Sequence, residues 1–208
     1  MKKIIILVFI STFNAFAFSQ FISVTPKVGM TVSNMKDYFE KYKIGYLVGV
    51  SAEYRLSPKF IIRPELVLEQ KGGQDEVTFT DENGWTIGIY NVHVSSNYLS
   101  LPLEVKFSPF TGNKIFFAVG GYAGYLLWAS EKTVNPDGDF HLNTNLDKAF
   151  FNQWDLGFSL GSGIDIPLKG KSGIQVDFKY ERALLNSAFY SPANTFSLSV
   201  GYIFKTGK

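Results

Sequence analysis

The chain has 208 residues, of which 18% are charged and 16% aromatic, with a formal net charge of +2, 19 glycines and no cysteine. Lys and Arg are scattered along the chain, and this excludes a nucleic-acid partner, because binding to phosphate backbones needs clustered positive charge. The lack of cysteine excludes a disulfide framework, while many aromatic residues and glycines are typical of an all-β barrel.

The first 20 residues have the features of a signal peptide. Lys2 and Lys3 precede the apolar run IIILVFI, and the small-residue site Ala15-Phe16-Ala17 follows it. The apolar run is shorter than the roughly 20 residues that a membrane-spanning helix needs. The sequence therefore predicts export, a signal peptide over 1–20 that is cleaved between residues 17 and 20, and one mature domain over 21–208.

Eight segments of the mature chain alternate apolar and polar residues with a period of two, the pattern of a β-strand with one apolar face. We expect strands at 22–33, 43–55, 59–71, 96–107, 114–128, 153–166, 172–183 and 194–204. Soluble strands average about five or six residues, whereas a tilted strand crosses a membrane in about nine to eleven. The predicted strand lengths favour a membrane barrel.

The connections between the predicted strands alternate in length. The turns RLSPK, SPFTGN and PLKGKSG are short, whereas the connections at 72–95 and 129–152 are long. Outer-membrane barrels combine short periplasmic turns with long extracellular loops in this way. The prediction is an all-β fold, a single closed antiparallel transmembrane barrel of about eight strands and of the size of OmpA or OmpX. Its extracellular segments would lie around Asp81, Asn135 and Ser191, and its periplasmic turns around Ser57, Thr111 and Lys171.

The two faces of the predicted strands differ in chemistry. In FIIRPELVLEQK, Phe60, Ile62, Pro64, Leu66 and Leu68 alternate with a row that is mostly charged. A soluble sandwich would expose that charged row, whereas a narrow barrel encloses it in a lumen filled by side chains. Both signs of charge occur in similar numbers, so buried groups can pair. We predict a structural charge network in the lumen made of Arg63, Glu65, Glu69, Glu104, Lys106, Asp177 and Lys179.

Stretches throughout the mature chain resemble the PorT-like outer-membrane β-barrel family, common in Bacteroidetes. They are PKVGMTVSNM, GVSAEYRLSPKFIIRPELVLEQKGG, NYLSLPLEVKFSP, FFAVGGYAGYLL, WDLGFSLGSGIDIP and GIQVDFKYERALLN. The most specific parts are Pro64-Glu65 with Gly72, and the segment from Asn97-Tyr98 to Leu101-Pro102. The resemblance implies an eight-stranded barrel in the outer membrane, and the namesake of the family serves protein secretion through that membrane.

Few residues offer catalytic or metal chemistry. His93 and Ser95 have the His-x-Ser spacing of lipid A deacylase barrels, but no acidic residue is placed in the sequence to orient the histidine. The loop Asn135–Asp139 lacks the downstream Glu of an EF-hand, and two histidines without cysteine do not make a zinc site. We predict no catalytic residue, no metal site and no cofactor.

The predicted function is therefore that of a non-enzymatic outer-membrane protein that acts through its long extracellular loops. These loops contain Trp85, Tyr90 and Phe140, residue types that anchor binding interfaces. The expected partners are outer-membrane lipid and other envelope proteins, including those of a secretion complex. Two alternatives stay open: a lipid-modifying barrel enzyme of the deacylase kind and a secreted soluble β-barrel that binds a ligand. A pore is disfavoured by the crowded lumen.

Overall fold

A computed structural model describes residues 21–35, 39, 41–109, 115–135, 141–147, 153–168, 170–184 and 193–205. The predicted signal peptide over 1–20 lies outside these residues. The strands are β1 (Phe21–Met35), β2 (Lys43–Arg55), β3 (Phe60–Thr80), β4 (Thr86–Phe107), β5 (Ile115–Val134), β6 (His141–Leu146), β7 (Trp154–Pro167), β8 (Ser172–Ala183) and β9 (Ala193–Lys205). No helix long and apolar enough to cross a membrane occurs in the described part of the chain.

Eight of these strands form a closed antiparallel ring in the order β1-β2-β3-β4-β5-β7-β8-β9, and β1 pairs with β9 to complete it. The predicted all-β closed barrel of eight strands is confirmed. Closure pairs every neighbouring strand, as hydrocarbon requires, because unpaired backbone groups are costly there. β6 stands outside the ring and pairs with the last part of β5.

The outward face of the ring is apolar, and the inward face is polar. In β9, for example, Phe196, Leu198, Val200, Tyr202 and Phe204 are exposed, whereas the serines between them are buried. Aromatic pairs lie at both ends of the outward rows: the rings of Phe60 and Phe107 are 5.1 Å apart at one end, and those of Tyr125 and Trp154 are 5.3 Å apart at the other. These are the two aromatic girdles of a membrane barrel.

The two ends of the barrel differ in their connections. At one end, which we call the turn end, lie the short turn between β2 and β3, the short turn between β7 and β8, and the first and last described residues. At the opposite end, which we call the loop end, β3 and β4 continue past the ring. Ser57 and Lys171 lie at the turn end and Asp81 at the loop end, whereas Thr111 and Ser191 fall outside the described residues.

The prediction of a long loop over 72–95 is wrong, because this segment forms a β-hairpin. The ladder between β3 and β4 runs from Phe60↔Phe107 to Phe79↔Gly88 before its register shifts. In the sequence, Gly72 and Gly73 indicate a turn. In the structure, the absence of a side chain at these two positions allows neighbouring groups to pack closely against the backbone. A Cβ at Gly72 would collide with the carbonyl oxygen of Val94, and one at Gly73 would lie 2.7 Å from the Phe39 ring.

The segment 129–152 is also only partly the loop that we predicted. β5 continues to Val134, and β6 returns against it. A bulge obscures this in the sequence: Asn97 pairs with Trp128 and Tyr98 with Leu126, so Leu127 is an extra residue. Below the bulge the even-numbered residues of β5 face inward, and above it the odd-numbered ones do. The period-two pattern therefore breaks at the point where the predicted strand ended.

Candidate functional site

The middle of the lumen holds six buried charged groups, three of each sign: Lys27, Arg63, Lys179, Glu65, Glu104 and Asp177. The Arg63 guanidinium lies 2.6 Å from Glu104 and 3.0 Å from Asp177. The Lys179 ammonium lies 2.7 Å from Glu65 and 3.0 Å from Glu104. These groups belong to β1, β3, β4 and β8, and because β8 lies across the ring from β3, the network connects opposite walls of the barrel.

A smaller charge cluster flanks this centre on each side. Toward the turn end, the Lys106 ammonium lies 2.6 Å from Glu53 and 2.5 Å from Asp165. Toward the loop end, Lys71 lies within 3.2 Å of three carboxylates, those of Glu69, Asp155 and Glu181. The seven residues that we predicted for the lumen all lie inside the barrel and belong to these three groups.

The sequence prediction missed Lys27, whose ammonium lies 2.7 Å from Glu65. The alternation of Ser23, Thr25 and Lys27 along β1 was the signal that could have revealed it. Lumen carboxylates such as Glu65 and Glu104 are each held by two or more cations, which suits them to hold the walls together.

An apolar layer covers the charged lumen at the loop end. Met35, Phe39 and Val94 form one buried cluster, Tyr98, Leu126 and Ala129 form another, and Leu146 of β6 packs against both. Phe39 lies in the connection between β1 and β2 and contacts the backbone position of Gly73. The lumen is thus filled by paired charges and covered by apolar side chains.

From the level of this layer outward, four strand segments form a sheet that extends the barrel wall: 71–80 of β3, 86–96 of β4, 129–134 of β5 and 141–146 of β6. We call this the projecting sheet. Its segment of β3 is about ten residues long, so the sheet reaches about 30 Å along the strand direction. Closure of the ring does not require it, because the eight strands already pair below it.

One face of the projecting sheet continues the inward rows of the barrel and carries a group of apolar side chains beside Asp75, Glu131, Thr133 and Thr144. It carries Val77, Phe79, Tyr90, Val92 and Leu142, and we call it the apolar face. Val77, Phe79 and Leu142 are 38%, 46% and 50% exposed. The rings of Phe79 and Tyr90 meet edge to face with centroids 5.1 Å apart. The predicted binding residue Tyr90 is therefore part of an exposed apolar surface.

The tip of the β3–β4 hairpin presents Trp85. The Asp81 carboxylate accepts hydrogen bonds from the backbone N–H groups of Asn83 at 2.9 Å and Trp85 at 2.8 Å, and Gly84 has a φ of +83°. This turn geometry fixes the backbone of Trp85, whose side chain is 76% exposed. Trp85 is at the tip and Tyr90 on the apolar face, and Phe140 lies outside the described residues.

Comparison with known proteins identifies the barrel. Residues 14–188 match the profile of the outer membrane protein beta-barrel domain family. The chain belongs to this family. The match supports an outer-membrane location and is not specific to PorT-like proteins, so that narrower resemblance stays a prediction. No curated protein matches the chain.

The fold of this outer-membrane barrel is similar to that of solved eight-stranded outer-membrane barrels. It is similar to Neisserial surface protein A, with a TM-score of 0.51, 10% identity, and coverage of 89% of this chain and 97% of that one. A major outer membrane protein from Thermus thermophilus has a TM-score of 0.48, 13% identity and coverage of 88% and 99%. Ail of Yersinia pestis has a TM-score of 0.44, 12% identity and coverage of 89% and 99%. At these identities the likeness concerns the fold alone.

His93 and Ser95 of the outer-membrane barrel lie on the face of the projecting sheet opposite the apolar face, where they pair with Gln74 and Gly72. Partial burial lowers the pKa of His93, and the nearby cations Lys43 and Lys132 lower it further. An acidic residue that oriented the imidazole as a base would raise this pKa instead. In the described ranges, no group of three or more His, Cys, Asp or Glu side chains could hold a metal ion.

Proposed function

We propose that this outer-membrane barrel is a non-enzymatic interaction protein that binds its partner through the projecting sheet. The observation that carries the proposal is the exposed apolar face, with Phe79, Tyr90 and Leu142, on a segment that ring closure does not use. Large apolar side chains exposed together outside the lipid mark interaction surfaces, and aromatic residues anchor such surfaces. The exposed Trp85 at the tip adds a second anchor.

The partner class follows from location and from the family resemblance. We propose that residues 1–20 direct export, that the loop end faces the cell exterior, and that the partner is another envelope protein, including a component of a secretion complex. The PorT-like resemblance supports the secretion role. The alternative enzymatic role depends on His93 and Ser95, and the charged groups that act on His93 are the cations Lys43 and Lys132 rather than an orienting carboxylate.

The orientation predicts a labelling pattern. The exposed residues Glu82 and Lys171 lie at the loop end and the turn end, and the chain has no native thiol. A membrane-impermeant maleimide should modify Glu82→Cys in intact cells and should modify Lys171→Cys only after the envelope is opened. Modification of position 171 but not of position 82 in intact cells would show that the barrel is inverted.

Removal of the projecting hairpin tests the function. Replacing residues 74–93 by Asn-Gly leaves Gly73 paired with Val94 across a two-residue turn and keeps the ring intact. We expect this variant to assemble but to fail to rescue the envelope phenotype of a strain that lacks the protein. Phe79→Ser should reduce rescue, because it removes an aromatic residue from the apolar face.

Ile89→Ser is the matched control, since Ile89 is 48% exposed on the same hairpin but on the opposite face. It should rescue fully. Full rescue by the variant without residues 74–93 would rule out the projecting hairpin as the functional surface. Loss of rescue by Ser95→Ala as well as by His93→Ala would instead favour the enzyme.

A further inference from the structure

A belt of polar side chains crosses the outward face at the loop end; it ends the apolar outward rows of β3 and β4, whereas the row of β2 continues past it to Ile44. The Tyr46 hydroxyl donates to Asn97 Oδ1 at 2.8 Å, and Gln70 Nε2 donates to the same oxygen at 3.3 Å. Lys43 Nζ donates to Gln70 Oε1 at 3.2 Å. On β4, the outward residues below Asn97 begin with Leu99. The belt therefore marks the limit of the hydrocarbon, where tyrosine and tryptophan concentrate in membrane proteins.

Two lysines and a histidine gather just above this belt, and their polar groups lie on the outward side. His93 and Lys132 are register partners across β4 and β5, so their side chains are neighbours on one face. Lys43 is the register partner of the inward-facing Ser33, but its ammonium reaches Gln70 on the outward face and, together with Lys132, lowers the pKa of His93. Glu76 also lies on this face, but its carboxylate is 2.5 Å from the Lys41 ammonium. This part of the outward surface therefore carries a net positive charge.

The height of these groups corresponds to the lipid headgroup layer. His93 is four residues beyond Asn97, about 13 Å along the strand and about 10 Å in height for the usual tilt. The headgroup layer is about 5–8 Å thick, so the backbone of His93 lies at its outer edge and side chains that point toward the membrane reach into it. The aliphatic part of a lysine side chain can lie along the barrel surface toward the membrane. Lys43 does so, because its ammonium donates a hydrogen bond to Gln70, which lies nearer the membrane. The ammonium groups thus lie where lipid phosphates are found.

We propose that Lys43, His93 and Lys132 form a binding site for the phosphate of an anionic lipid in the leaflet at the loop end. The ammonium and imidazole groups donate hydrogen bonds to the phosphate oxygens, and the acyl chains lie along the apolar outward rows below. The apolar outward rows favour a lipid over a free anion, because only a lipid has both a phosphate for the basic side chains and acyl chains for the apolar rows. The site is on the face opposite the apolar face, so its loss leaves the proposed partner surface intact.

Lipid retention measured by native mass spectrometry tests the site. The full-length protein, folded in a neutral detergent, is titrated with diphosphorylated lipid A and with the same lipid after removal of its phosphates. We expect the phosphorylated lipid to bind more tightly to the unmodified protein. Lys43→Gln with Lys132→Gln should weaken that binding about 25-fold, since each lysine near a lipid surface contributes about a fivefold effect.

Two variants make the test decisive. Lys59→Gln with Lys171→Gln removes the same charge from exposed positions at the turn end and should leave binding unchanged. Lys43→Arg with Lys132→Arg keeps the charge and should retain binding. Unchanged binding in the glutamine pair, equal loss in the turn-end pair, or equal binding of the dephosphorylated lipid would overturn the proposal. Displacement of the lipid by inorganic phosphate at matching concentration would also overturn it, by showing a free-anion site.

Discussion

Arg63→Met is expected to destabilise the folded barrel by about 3–5 kcal/mol, the cost of breaking a buried ion pair by removing one partner. Arg63 is 0% exposed and lies between Glu104 at 2.6 Å and Asp177 at 3.0 Å. Without the guanidinium, three carboxylates share two lysines in the middle of the lumen. The measurement is the free energy of unfolding by urea in lipid vesicles, followed by tryptophan fluorescence.

The controls separate lost charge balance from lost volume. Arg63→Met combined with Glu104→Gln restores equal numbers of both signs and should recover part of the stability. Arg55→Met removes an exposed arginine at the turn end of β2 and should change stability by no more than about 0.5 kcal/mol. If Arg63→Met is as mild as Arg55→Met, the lumen network does not hold the walls together.

Leu160→Arg should cost about 2–4 kcal/mol, because it places a charge on the lipid face near the middle of the bilayer. Leu160 is 49% exposed on the outward face of β7, between Val119 and Tyr180 of the neighbouring strands. The same urea titration measures this loss, together with the yield of folded protein in the outer-membrane fraction.

The position of the arginine should decide its effect. Leu160→Met keeps an apolar side chain and should fold normally. Thr78→Arg adds the same charge on the outward face of the projecting hairpin, beyond the lipid, and should be tolerated. If Leu160→Arg folds as well as Thr78→Arg and is recovered in soluble form from the periplasm, the outward face does not contact lipid.

The ring of the barrel was predictable from sequence because its period of two is regular. In β3 every second residue from Phe60 to Leu68 faces outward, and the charged row from Arg63 to Lys71 faces inward. Along this part of β3 the outward face meets only lipid and the inward face only the lumen. The sequence therefore alternates regularly between apolar and polar residues, and this pattern predicts the strand.

The projecting sheet was not predictable in the same way, because neither of its faces contacts the hydrocarbon of the membrane. From Gln74 to Thr80 both faces meet water in part, so apolar and polar residues no longer separate cleanly. Gly72 and Gly73 then have the appearance of a turn, although their role is to admit Val94 and Phe39. The individual ion pairs of the lumen could not be predicted from the sequence either, because paired residues such as Lys71 and Glu181 are 110 residues apart in the chain.

The bulge at Leu127 has a consequence for the length of the chain. Leu126 faces inward below it and Ala129 faces inward above it, so the extra residue is absorbed without changing which side chains reach the lumen. A chain shortened by one residue at this point would keep the same residues inside. A one-residue deletion elsewhere in the upper part of β5 would invert the side chains beyond it and turn Glu131 and Thr133 outward. Loss of one residue from β5 is therefore tolerated at Leu127, and alignments with related chains that have a shorter β5 should place the gap there.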